Sequence, residues 1–179
     1  MTSRGCESPP SFFALFGLEP RFALSLGRLE TAYRSLARRV HPDRFVTGTE
    51  AERRNAIETA TQVNEGYRTL RTPMLRALYL LDLRGIDVAR QGEAASQAFL
   101  SAQFEWRAAL GEARASRDEE ALRALEVSAR EQADALTCEL ADQLDSARND
   151  AGAVAAVLQL MFFDRLLADV GDAHEALEA

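Results

Sequence analysis

Apolar residues recur along most of this chain at steps of three and four, the period of a helix with one buried face. Nowhere do they alternate at the period of two that a half-buried strand requires. Leu26, Leu29, Tyr33, Leu36 and Val40 follow Ser25, whose hydroxyl can cap the helix they define. A second stripe, Ala56, Ile57, Ala60, Val63, Tyr67 and Leu70, follows Thr49-Glu50-Ala51-Glu52, the pattern of a capping box. Ahead of both, SFFALFGLEP is a short apolar segment closed by Gly17 and Pro20; behind both, Thr72-Pro73 opens a piece, MLRALYLLDLRG, that ends at Gly85. The polar, glycine-bearing stretch that follows breaks the period and reads as a joint. Beyond it, helices are predicted over about 96–114, 118–147 and 150–177. The middle one carries Leu122, Leu125, Ala129, Gln132, Leu136, Leu140 and Leu144; the last carries Val154, Val157, Leu160, Phe163, Leu167 and Val170. The pattern therefore predicts an all-α chain, with a helical hairpin in residues 1–85, a linker over 86–95 and a three-helix bundle over 96–179.

The hairpin has an unusual tip. The first of its two long helices runs as RSLARRV straight into His41-Pro42-Asp43, which cannot continue it, because proline lacks an amide hydrogen and disfavours helical geometry in the residue before it. The helix should stop near Val40 or His41, leaving His41 and Asp43 in a loop. Pro42 and Asp43 suit an ordinary turn, yet the tripeptide stands at the end of a helix whose outer side is basic, with Arg28, Arg34, Arg38 and Arg39.

Charge divides along the same line. The net charge is −7, but residues 1–80 carry 12 Arg and 8 Asp or Glu, a balance of +4, while residues 81–179 carry 9 Arg and 20 Asp or Glu, a balance of −11. Opposite signs in the two halves point to two surfaces meeting two partners. Nucleic acid is disfavoured, since the basic half is only mildly so and shows no basic repeat interleaved with aromatics. No membrane span is predicted: the longest uncharged apolar run, AGAVAAVLQLMFF, ends at Asp164 short of a spanning length. The N-terminal MTSRGCESPP lacks the apolar centre of a signal peptide, and a cytoplasmic location is expected, with organellar targeting the weaker reading.

The same inventory argues against catalysis. Cys6 and Cys138 each stand alone, and with only two histidines in the chain neither a nucleophile with its base nor a metal ligand set can be assembled from sequence. No enzymatic activity, cofactor or metal is expected. Interaction is the better class.

YRSLARRVHPDRF, followed by a second helix ending in NEGYRTL, resembles a J-domain. The resemblance implies docking on a DnaK-class chaperone and stimulation of its ATP hydrolysis, through Arg34, Arg38, His41, Pro42 and Asp43. The chemistry suits such a role: proline stiffens the tip, a carboxylate there can take a two-pronged hydrogen bond from a partner's arginine, and Arg34 and Arg38 form a positive strip one turn apart. TPMLRALYLLDLRGIDVA, AFLSAQFEWRAAL, the early LFGLEPRF and the late LMFFDRL are similar to the HscB family, co-chaperones of iron-sulfur cluster assembly. That likeness implies that the acidic bundle binds the cluster scaffold IscU and delivers it to the chaperone HscA, with Leu100, Phe104, Glu105, Glu112 and Phe162 at scaffold-contact positions. Ser101 stands where an apolar residue is expected and Ala108 where an acidic one is, which leaves room for a different client of the same bundle. On the last helix the stripe from Val157 to Val170 fills the inward face and is expected to leave Met161 and Phe162 off it, in a contact patch; the alternative is that Phe162 widens the core. Leu100, Phe104 and Trp106 are open to the same two readings. A third possibility is a structural adaptor or helical oligomer.

Overall fold

Side-chain caps set where the helices begin. The structure, a computed structural model, describes residues 10–41, 48–91 and 97–178, and among these every regular element is helical. Ser11 opens α1 (Phe12–Leu15), its Oγ accepting from the Ala14 amide at 3.2 Å, and Ser25 opens α2 (Leu26–Val40), accepting from the Arg28 amide at 3.3 Å. At α3 (Glu50–Arg71) the expected capping box is complete: the Glu52 amide donates to Thr49 Oγ1 at 3.3 Å, and the Thr49 amide donates to Glu52 Oε2 at 2.8 Å. Donation from that amide, and then from the Thr49 hydroxyl, holds the exposed Glu52 carboxyl below its ordinary range.

Pro73 begins α4 (Pro73–Leu83), where a missing amide hydrogen costs nothing. Gly85 ends the element at φ +76°, which lets the Ile86 amide reach back to the Leu81 carbonyl at 3.0 Å. The short α5 (Val88–Gln91) precedes α6 (Gln97–Ser116), α7 (Glu119–Ala141) and α8 (Asp150–Glu178). Asp118 caps α7, and the chain leaves that helix through a wide π turn, Asp142–Ser146, before Asn149 caps α8 by accepting from the Gly152 amide at 3.2 Å.

The chain forms two compact units, Met1–Arg76 and Ala77–Ala179. The division lies inside α4, ahead of the joint that the sequence pattern suggests at 86–95. Ala77, Leu80 and Leu81 of α4 are buried and Val88 of α5 is too, so the stretch after Arg76 is part of the second unit's packing. In the first unit α2 and α1 both pack on α3, with Phe13, Phe16, Leu29, Val63 and Leu70 buried. Tyr33 stacks on Tyr67, ring centroids 4.1 Å apart, and its hydroxyl donates to Asn64 Oδ1 at 3.0 Å. A Cβ on Gly66 would lie 2.9 Å from Phe12, so the bare backbone there is what lets α1 seat on α3. Asn64, Gly66, Tyr67 and Leu70 of NEGYRTL thus have structural work in the hairpin.

In the second unit α7 and α8 form the main contact and α6 packs on both. Leu122, Ala129, Leu136, Leu140 and Leu144 face Val154, Val157, Leu160, Phe163 and Val170 in a continuous apolar core. Arg84 pins the π turn, donating to the Leu144 carbonyl at 2.7 Å and pairing with Asp150. By length and composition α8 could cross a bilayer; a helix packed on two sides has that same composition, and α8 is packed on α6 and α7.

Candidate functional site

The residues singled out from sequence divide between the two units. On the hairpin, α2 stops at Val40, and the exposed His41 takes φ −60°, ψ 127°, the extended geometry that a following proline imposes. Arg34 and Arg38 are exposed on one face of α2. Arg38 Nε donates to the Arg34 carbonyl at 3.1 Å, and the Arg34 guanidinium pairs with Glu30 one turn back. An exposed pair of this kind is weak and exchanges readily for a partner's carboxylate. Pro42 and Asp43 lie outside the described residues.

On the bundle, Leu100 is 54% and Phe104 75% exposed, four residues apart on α6. A rotation of about 100° per residue puts Glu105 and Glu112, both exposed, roughly a third of a turn round the helix from that pair. Ser101 and Ala108 occupy the strip between the apolar pair and the acids, so their short side chains leave it shallow. On the opposite flank of the acids an open groove of about 690 Å³ runs between α6 and α7, lined by Glu105, Trp106, Glu112, Asp118 and Leu125.

Phe162 is not where the helical stripe predicts. It is 8% exposed, its ring edge-on to Phe99 at 6.0 Å and to Phe163 at 5.2 Å between centroids. The cause is the double packing of α8: contact with both α6 and α7 buries an arc wider than one stripe, and Phe162, Leu166 and Ala173 form its edge. Met161, expected off the stripe with Phe162, is 42% exposed. Trp106 is likewise resolved toward the core, edge-on to Phe163 at 5.2 Å. On α6 the large apolar side chains left in solvent are Leu100 and Phe104, while Phe162 of α8 is buried. Sequence reasoning passed over Arg107, whose guanidinium lies over the Phe162 ring at 5.8 Å from its centroid. Among the described residues no cluster of three or more His, Cys, Asp or Glu is placed to hold a metal ion.

Known proteins share this fold. Residues 95–171 match the family model of the HSCB C-terminal oligomerisation domain. The co-chaperone protein HscB homolog of Paraburkholderia phymatum is 44% identical over 169 residues, covering 94% of this chain and 96% of the relative, and the homolog of Burkholderia multivorans matches to the same extent. Among solved structures, the chaperone HscB from Vibrio cholerae superposes with a TM-score of 0.83 at 32% identity, covering 94% of this chain and 99% of that one. The human co-chaperone protein HscB gives 0.86 at 25% identity, covering 92% and 82% respectively. Likeness that runs through both units, in sequence and in backbone alike, settles the family: this chain belongs to the HscB co-chaperones.

Proposed function

We propose that this co-chaperone serves iron-sulfur cluster assembly, stimulating the ATPase of the DnaK-class chaperone HscA through its hairpin and delivering the cluster scaffold IscU through its bundle. The observation that carries the delivery half is the exposure of Leu100 and Phe104, 54% and 75%, on a helix that has a core to bury them in. Two large apolar side chains in solvent beside exposed carboxylates are the composition of a contact patch, not of a helix that serves the fold alone. For the chaperone half, support comes from a capped, basic α2 that ends at Val40, two residues before Pro42, with Arg34 and Arg38 on the side facing away from the Leu29 core. In this reading Asp43 grips an arginine of HscA, while Arg34 and Arg38 steer an acidic surface into register.

The reading is tested by single-turnover ATP hydrolysis. HscA turnover should rise on addition of the wild-type protein and rise further with IscU present, and Asp43→Asn should remove the stimulation. Equal stimulation by Asp43→Asn contradicts the docking role; stimulation that is indifferent to IscU favours a different client for the bundle.

A further inference from the structure

We propose that Arg107 is a partner-contact residue that recognises a carboxylate lying beside an apolar side chain on the docked protein, an inference that rests on the reading of Leu100 and Phe104 as a scaffold contact. Leu100, Phe104 and Arg107 fall at steps of four and three on α6, within an arc of about 60° and over a rise of about 10 Å. They form one exposed row, apolar for its first two members and cationic at the third.

Arg107 differs from the paired arginines of the bundle in how its charge is held. Arg123 and Arg130 of α7 pair with Glu119 and Glu126, Arg84 pairs with Asp150, and Arg114 donates to the Asp169 carbonyl. Among the described residues no hydrogen bond or ion pair reaches the Arg107 guanidinium; its one recorded neighbour is the ring of Phe162. That ring is fixed by Phe99 and Phe163, so the platform under the cation is rigid. A guanidinium resting on an aromatic keeps its N–H donors at its edge, free for a planar acceptor, and loses less rotamer freedom on binding than one that swings in water. Its geometry matches a carboxylate, which takes two parallel hydrogen bonds.

Local charge also favours an acid as the partner group. Position 108, next along the helix, is Ala108, so no side-chain carboxylate of that residue competes for Arg107, and Glu105 and Glu112 lie round the helix from the row. A docked surface that meets this row must offer something apolar to Leu100 and Phe104 and something anionic to Arg107. The buried Phe162 thereby acts in recognition indirectly, by holding the cation rather than by touching the partner.

Calorimetric titration with purified IscU tests this, using wild type, Arg107→Gln, Arg107→Glu, Arg107→Lys and Phe104→Ala, each with its melting curve. Arg107→Gln is expected to raise Kd about tenfold and Arg107→Glu more than that, since it sets two carboxylates against each other; Arg107→Lys is expected to recover most of the loss, with melting unchanged throughout. Equal losses for Gln and Glu would mean that Arg107 only packs, and Kd within twofold of wild type for Arg107→Gln would overturn the proposal. Wild-type binding that Phe104→Ala weakens and Arg107→Gln does not overturns this inference alone. No wild-type binding overturns the scaffold reading on which it rests.

Discussion

α6 and α8 belong to one bundle and treat their apolar residues in opposite ways. α8 buries Val154, Val157, Leu160, Phe162, Phe163, Leu166 and Val170, whereas α6 fully buries Leu110 and Ala113 and leaves Leu100 and Phe104 in solvent. Burying either side chain would stabilise the protein by about 1.5–3 kcal/mol. The fold forgoes that contribution on the outer row of α6 and takes most of it on α8, where Met161 is left exposed. Apolar character on α8 is thus explained by the core, and on the outer row of α6 it is not; the remainder is what a partner can use.

This contrast can be broken by substitution, from the core outward. Phe163→Ala removes a ring that packs on both Phe162 and Trp106, and should cost about 3–5 kcal/mol in urea unfolding. A loss under 1 kcal/mol would mean that α8 is not the core helix described. Phe162→Ala is the sharper case, because the sequence pattern alone makes it a surface contact. Its burial predicts a loss of about 2–4 kcal/mol, so weaker partner binding by this variant would follow in part from a loosened contact between α6 and α8.

The hairpin supplies a reference in the other unit. Thr49→Ala removes the cap of α3 and should cost about 1 kcal/mol at neutral pH. Because the folded Glu52 carboxyl titrates below its ordinary value, the contribution it makes with Thr49 is present above that value and is lost as pH falls through the lowered one. The gap between wild type and Thr49→Ala in thermal melts should therefore narrow on acidification; a gap that widens toward acid contradicts the capping box. Phe104→Ala comes last, with stability within about 0.5 kcal/mol of wild type, because its side chain touches little of the fold.

Much of this was legible in the sequence because helices announce their own periods and caps. Ser25, the Thr49 to Glu52 box, Pro73, Gly85 and the leucines of α7 each fix a local event that needs no knowledge of the rest of the chain. The exposed pair Leu100 and Phe104 and the exposed acids Glu105 and Glu112 were legible only through resemblance, since spacing alone could not say which side of α6 faces the core. Phe162 was misplaced because a single stripe describes a helix with one neighbour, and α8 has two. Gly66 inside a long helix was an available signal of close approach by another element, and Phe12 is that element. Nothing local joins Arg84 to Asp150, or Arg107 to Phe162, because those contacts exist only once the bundle has formed.

The central claim is that exposed apolar surface on α6 is reserved for a partner. Titration of IscU into wild type and Phe104→Ala, with both variants shown to melt alike, tests it most directly. The account predicts measurable wild-type binding and a Kd at least tenfold higher for Phe104→Ala. Identical affinities for the two proteins would contradict it.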